Sequence, residues 1–153
     1  MTILEKIVDL LDQNHIEYKL TEHEPVRTSE EAARVRGTDI HSGAKAMIAK
    51  SGSTYYLVVL PADKKIDWKK LKLALNVKDV SLAGLDEAEQ LIGLKMGAVP
   101  PFGNILNLPT VFDEEIAKIE KVNFNAGEQT RSISMKGEDL IKLLQPRIGT
   151  ISK

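Results

Sequence analysis

A segment rich in proline and glycine could do chemistry through its main chain: Gly97-Ala98-Val99-Pro100-Pro101-Phe102-Gly103. Adjacent prolines cannot continue a helix or donate to a central strand, and flanking glycines let the backbone turn sharply and approach a ligand closely. Such a segment can hold main-chain amides in one arrangement that binds a carbonyl or a developing oxyanion. Composition alone favours the alternative, a proline-kinked connection that packs Phe102 on the core.

Lys45 is the second candidate, because it is the only charged residue in Gly43-Ala44-Lys45-Ala46-Met47-Ile48-Ala49. Strand alternation places Lys45, Met47 and Ala49 on one face of a strand and the intervening residues on the other. A single cation among small side chains suits a ligand that is anionic or bears an ester. The alternative, an edge lysine that discourages strand pairing, is the more common situation for an exposed lysine.

Other catalytic groups lack the required spacing. The chain has no cysteine, which removes disulfides, thiolate catalysis and cysteine-based metal sites. His15, His23 and His41 do not follow a metal-ligand pattern, and no serine stands in a nucleophile elbow. No phosphate-binding loop of the ATPase type is present. We therefore expect neither a metal nor a cofactor.

Charge and length narrow the class of protein. The chain has 153 residues, with 21 Lys and Arg against 22 Asp and Glu, which predicts a single compact domain over residues 1–153. This balance argues against a protein that coats DNA or long RNA, although it allows contact with a few phosphates at an RNA end. No apolar stretch reaches the roughly 20 residues of a membrane span, and no leader is recognisable. We expect a cytoplasmic chain without a membrane partner.

A group of lysines, hereafter the basic cluster, surrounds the start of one predicted helix: Lys64, Lys65, Lys69, Lys70 and Lys72. A solvated helix face is the more common reason for such a run. The functional alternative is a surface that binds RNA phosphates or makes the chain a phosphate-binding regulatory protein.

The predicted elements are short and mixed. Capping residues and apolar periodicity predict helices at residues 3–14, 29–36, 68–75, 85–92 and 139–144. Alternating or β-branched runs predict strands at 16–20, 44–50, 55–60, 80–82, 111–112, 121–124 and 131–135. Residues 149–153 are expected to be a frayed tail. Hairpins rather than regular strand–helix–strand units predict an α+β domain with a mixed sheet.

In their order and spacing, several motifs together resemble the YbaK-type family of aminoacyl-tRNA synthetase-associated editing domains, which includes the insertion domain of prolyl-tRNA synthetases. The resemblance covers about residues 3–144. The motifs are His23-Glu24-Pro25-Val26, Thr28-Ser29-Glu30-Glu31-Ala32-Ala33, Gly43 to Ile48, Gly97 to Gly103, Leu108 to Asp113 and Asn125-Ala126-Gly127. Neither the lysine strand nor the proline loop is specific alone, but their combination is.

The resemblance implies a curved, partly closed mixed sheet with short flanking helices, and hydrolysis of wrongly charged aminoacyl-tRNA. The family's lysine corresponds to Lys45, which contributes to catalysis or holds the 3′ end of the tRNA. The family's glycine–proline loop corresponds to Gly97–Pro101, and the facing strand segment begins at Asn125. Asn125, Gly127 and Thr130 are weaker candidates for the pocket. The implied partners are the aminoacyl-tRNA 3′ end and, in some relatives, a synthetase.

Departures from the cysteine-specific branch bear on specificity. Thr21 replaces a tyrosine of that branch, Asn125 replaces a serine, and residues 128–131 lack its basic, glycine-containing run. These differences favour another small amino acid, such as Ala, Ser or Thr. The leading hypothesis is a free-standing deacylase of mischarged tRNA. A non-catalytic module of the same fold that binds tRNA or a synthetase remains the alternative.

Overall fold

A computed structural model describes all 153 residues, with six α-helices and eight β-strands. The helices are α1 (Ile3–Gln13), α2 (Ser29–Arg36), α3 (Trp68–Leu75), α4 (Leu85–Ile92), α5 (Gly103–Leu106) and α6 (Gly137–Leu144). The strands are β1 (Tyr18–Glu22), β2 (Ala44–Ser51), β3 (Thr54–Pro61), β4 (Ser81–Leu82), β5 (Thr110–Asp113), β6 (Val122–Asn125), β7 (Arg131–Met135) and β8 (Arg147–Gly149). Two short 3₁₀ turns occupy Ile40–Ser42 and Glu114–Lys118.

The strands form two sheets, which confirms the mixed α+β class. One sheet has three antiparallel strands in the order β1-β7-β6. The other has the order β4-β2-β3-β5-β8, with an antiparallel β2–β3 hairpin and parallel β3–β5 and β5–β8 pairs. A single bridge between Gly43 and Asn123 links β6 to the start of β2. The two sheets therefore meet where β2 begins, one residue before Lys45.

Local capping explains why several helices begin and end as predicted. The Thr2 hydroxyl accepts from the Glu5 amide, and the Glu5 carboxylate accepts from the Thr2 amide, which completes a capping box at α1. At α2, the Thr28 hydroxyl accepts from the Glu31 amide, and Gly37 adopts the left-handed conformation that ends the helix. Helix α2 is thus fixed at both ends, and its last residue is Arg36.

The five-stranded sheet separates two apolar clusters. Ala46 and Ile48 of β2 belong to the larger cluster, which α1 and the three-stranded sheet complete. The next residue, Ala49, belongs to the smaller cluster under α3. This division follows the period of two in a strand. The faces of β2 are therefore the predicted ones, and Lys45 is a polar residue on the face that also carries Met47 and Ala49.

The C-terminal segment is not a frayed tail, so that prediction is wrong. Strand β8 pairs in parallel with β5, and Ile151 has 0% exposure. The main chains of Lys153 and Lys65 exchange two hydrogen bonds of 2.8 and 3.1 Å. These partners lie far away in the sequence, so local composition carries no signal for the pairing. No helix combines the length and the apolar character that a bilayer crossing demands.

Candidate functional site

A cavity of about 230 Å³ lies where the two sheets meet, between α2, the start of β2 and the loop that follows α4. Its apolar lining comes from small and flexible side chains: Ala32, Ala33, Ala44, Met47, Met96 and Val99. Lys45, Gly97 and Asn125 line the same cavity. The structure therefore brings the lysine strand and the proline loop to one place, as the resemblance implies.

Lys45 is half-buried at this cavity, and burial lowers the pKa of its ammonium group because the charged form loses hydration. The nearby carboxylates of Glu30 and Asp63 act in the opposite direction, and the positive charge of Lys65 adds to the lowering. No hydrogen bond within the protein holds the Lys45 ammonium, so its three N–H groups are available to a ligand.

The loop reaches the cavity through Gly97 and Val99. Gly97 has φ +91°, and a Cβ there would lie 2.5 Å from the Val26 carbonyl oxygen. Only glycine therefore fits against the main chain at Val26. The amides of Gly97 and Val99 donate to no acceptor in the protein. They are the free main-chain donors that the loop offers to a ligand.

The rest of the predicted loop packs into the protein. Phe102 has 0% exposure and its ring lies 5.5 Å from that of Phe124, centroid to centroid. Pro100 and Pro101 are buried and do not line the cavity. Gly103 begins α5 against Thr110. Phe102 therefore packs on the core, as the alternative to a ligand-binding loop predicts. The first residues of the loop, in contrast, lie at the cavity and fit the ligand-binding interpretation.

Of the three weaker candidates, Asn125, Gly127 and Thr130, only Asn125 lies at the cavity. Asn125 lines the cavity, and its Nδ2 donates to the Gly97 carbonyl oxygen. Gly127 has φ +88° and packs on Ile3, while its amide donates to the Ala98 carbonyl at 2.9 Å. The Thr130 carbonyl accepts from the His23 amide at 2.9 Å. Neither Gly127 nor Thr130 lines the cavity, nor does Ala98, although Gly127 supports the loop from behind.

Arg36 is a cavity residue that the sequence did not reveal. Its Nε donates to Ser132 Oγ and its Nη2 to Asn125 Oδ1, each at 2.8 Å. Both partners are neutral, and burial lowers the pKa of Arg36 to about 10. A guanidinium nevertheless keeps its proton at neutral pH. An arginine in the last turn of a short helix ordinarily faces solvent and the helix dipole, so nothing local distinguishes this one.

His23 adds a fourth member to this polar network. Its Nδ1 lies 2.8 Å from the Glu24 carbonyl, which can only accept, so Nδ1 carries a proton. His23 Nε2 lies 2.7 Å from Ser132 Oγ, and that hydroxyl also donates to Asn125 Oδ1 at 3.1 Å. The Ser132 hydroxyl, 3% exposed, thus joins β7 to the segment that leads into α2.

The charges around the cavity have one sign. Arg27, Arg36 and Lys45 line it, and no Asp or Glu does. No group of His, Cys, Asp and Glu that could hold a metal ion is present. The arrangement offers cationic side chains and main-chain donors around a small cavity, which suits the oxygen atoms of an ester or a phosphate.

Comparison with known sequences gives consistent findings. The family model of the aminoacyl-tRNA editing domain matches residues 23–143. The multifunctional Ser/Thr-tRNA deacylase ProXp-y of Escherichia coli K12 is 30% identical over 149 residues, covering 94% of this chain and 89% of the relative. The prolyl-tRNA editing protein ProX of Acetoanaerobium sticklandii is 30% identical over 152 residues, covering 95% and 92%.

A solved structure agrees with the fold. The crystal structure of a hypothetical protein superposes with a TM-score of 0.87 at 25% sequence identity. The superposition covers 97% of this chain and 99% of the other. The fold described above therefore has a known example over nearly the whole length of the chain.

Proposed function

The chain belongs to the aminoacyl-tRNA editing domain family, and from that premise we propose that it is an aminoacyl-tRNA deacylase. Its reaction is hydrolysis of the ester that joins a small, wrongly attached amino acid to the terminal ribose of tRNA. The enzyme acts in trans, as a single domain over residues 1–153. The E. coli relative is named a Ser/Thr-tRNA deacylase, which supports the reaction and a small amino acid as its substrate.

The observation that carries this proposal is that Lys45, Gly97 and Val99 line one small cavity, and that the amides of Gly97 and Val99 have no acceptor within the protein. Sequence spacing alone does not require that meeting, since more than 50 residues separate the two motifs. A proline-stiffened loop and a partly desolvated cation at one place match the needs of ester hydrolysis, in which negative charge develops on the carbonyl oxygen.

The proposed roles follow from the available donors. The Gly97 and Val99 amides donate to the ester carbonyl oxygen as it becomes an oxyanion. Lys45 stabilises the same charge or the terminal phosphate. Water supplies the hydroxyl: its oxygen forms the new bond to the carbonyl carbon, the carbon–oxygen bond to the ribose breaks, and the ribose oxygen takes the proton. The neighbouring ribose hydroxyl can assist this transfer, so no nucleophile of the protein is needed.

The cavity size supports selection of a small amino acid. The cavity has a volume of about 230 Å³. Ala33 and Met96 border the cavity. Exclusion by size at a separate site is useful because one methylene changes binding by only about 1–3 kcal/mol.

The proposed partner is the 3′ end of an aminoacyl-tRNA. A second proposed partner is the synthetase that charged this tRNA. The prolyl-tRNA editing relative supports a link to prolyl-tRNA. The cytoplasm, where tRNA is charged, is the proposed location. Neither a cofactor nor DNA enters the proposed reaction.

The test is deacylation of one tRNA body charged with alanine, serine, threonine or cysteine, using the parent protein and Lys45→Ala. We expect the parent to release at least one of these amino acids, and Lys45→Ala to lose about 100-fold or more in rate. Lys70→Ala, an exposed lysine of the basic cluster, is the matched control and retains the parent's rate. Binding of charged tRNA with no release of any amino acid would favour the non-catalytic module and contradict the proposal.

A further inference from the structure

The Arg36 side chain fixes the orientation of Asn125. A guanidinium has only donors, so Asn125 must turn its carbonyl oxygen toward Arg36. Its Nδ2 then points the other way and donates to the Gly97 carbonyl oxygen. Arg36 therefore acts on the loop through Asn125, which already makes it a positioning residue.

Arg36 also has donors that the protein does not use. Hydrogen bonds engage Nε and Nη2, while Nη1 makes none and is not sealed from solvent. The residue lines the cavity, and Nη1 lies 3.8 Å from the point that a Cβ on Gly43 would occupy. Because no carboxylate lines the cavity, the unused N–H groups face a space that offers them only water or a ligand.

Arg36 and Lys45 occupy different parts of the cavity. The charges of Glu30, Asp63 and Lys65 act on Lys45, and all three of these residues are exposed. Arg36 instead contacts Asn125 and Ser132, and Ser132 is only 3% exposed. Lys45 is therefore the outer cation and Arg36 the inner one. An acylated RNA end enters amino acid first, so the inner cation meets the amino acid.

We propose that Arg36 is a specificity-determining residue whose Nη1 donates a hydrogen bond to a hydroxyl oxygen on the side chain of the bound amino acid. This inference rests on the proposed function and narrows its substrate class to tRNA bearing serine or threonine. A guanidinium repels the α-ammonium group, so the group that it meets must carry an accepting oxygen. Alanine has the right size but offers no oxygen, which leaves Nη1 to water.

The experiment compares kcat/KM for seryl and alanyl esters on the same tRNA body. A hydrogen bond from a charged donor changes such a ratio by roughly 10- to 100-fold. We expect the parent to prefer serine over alanine by about tenfold or more. Arg36→Met keeps the length of the stem without any donor, and its ratio falls to about one because the rate on the seryl ester drops. Arg36→Lys retains part of the preference.

Arg34→Gln is the matched control, since Arg34 lies on the same helix and pairs only loosely with Glu24 at 3.9 Å on the surface. It keeps the parent's ratio. Equal parental rates on both esters overturn the inference and leave the proposed function intact. A uniform loss in Arg36→Met, with the ratio unchanged, also overturns it. If the parent hydrolyses neither ester nor any other, the proposed function fails instead. The ratio of kcat/KM for the seryl and alanyl esters in the parent protein tests the inference even where a variant does not fold.

Discussion

The cavity and the basic cluster both concentrate positive charge, yet their lysines and arginines have different surroundings. In the basic cluster, Lys65, Lys69 and Lys70 are exposed around α3, next to Leu73 at 81% exposure. In the cavity, burial lowers the pKa values of Lys45 and Arg36, although Glu30 and Asp63 partly oppose this effect at Lys45, and no carboxylate lines the cavity itself. The basic cluster has more cationic side chains, but only those of the cavity lose part of their hydration when the protein folds.

The difference shows which cations are candidates for function. An exposed lysine keeps its hydration and needs no partner, whereas a desolvated cation without a counter-ion costs folding free energy. A bound ligand with accepting oxygen atoms would offset this cost. Three substitutions test this contrast, in order of decreasing effect.

Gly97→Ala has the largest expected effect on deacylation. The residue combines φ +91° with a Cβ position 2.5 Å from the Val26 carbonyl oxygen, so the loop must shift relative to the main chain of Val26 and Arg27. A displacement near 1 Å can cost about 100-fold in rate, and we expect a loss of that order.

Gly93→Ala is the control for Gly97→Ala, since Gly93 has φ +71° but no atom within 4 Å of the added Cβ. Its cost is backbone strain of about 1 kcal/mol in stability, seen by thermal unfolding, with the deacylation rate retained. Equal rates for the two variants would mean that the loop's approach to the cavity is irrelevant.

Asn125→Ala comes second, with an expected loss of about tenfold in kcat/KM. It removes both the tether on the Gly97 carbonyl and the acceptor of Arg36 Nη2. Steady-state kinetics would measure the loss, and Asn104→Ala, at an exposed position on α5, is the matched control. Full activity of Asn125→Ala would show that the polar network around Asn125 does not contribute to deacylation.

Joint substitution of Lys69, Lys70 and Lys72 by Gln has the smallest expected effect, within about twofold of the parent at 0.15 M salt, because exposed charges are screened there. Deacylation at several salt concentrations measures it. A loss of tenfold or more would reverse the comparison and make the basic cluster the main RNA-binding surface.

Local chemistry explains what the sequence predicted well. The bounds of α2 follow from the Thr28 cap and Gly37, and the β2–β3 hairpin follows from two apolar runs around Gly52. The predicted strand at 16–20 begins two residues later, at Tyr18, because hydrogen bonding to β7 and not apolar alternation sets its limits. The bounds of α2 and the hairpin thus depend on residues close together in the chain, whereas the start of β1 depends on a distant strand.

Long-range contacts explain what the sequence did not predict. The role of Arg36 depends on Ser132 and Asn125, about 90 residues away, and the C-terminal strand depends on β5. Only the family resemblance indicated that Lys45 meets the loop at Gly97. Spacing could not, because a contact across two sheets leaves no period in the sequence.

Amide chemical-shift mapping with a hydrolysis-resistant, amide-linked seryl-adenosine tests most directly whether the cavity holds the acylated end of tRNA. We predict saturable shifts at the amides of Gly97 and Val99 and at Lys45, with α3 unaffected. Shifts confined to α3 and the basic cluster, with the Gly97 and Val99 amides unmoved, would contradict the account.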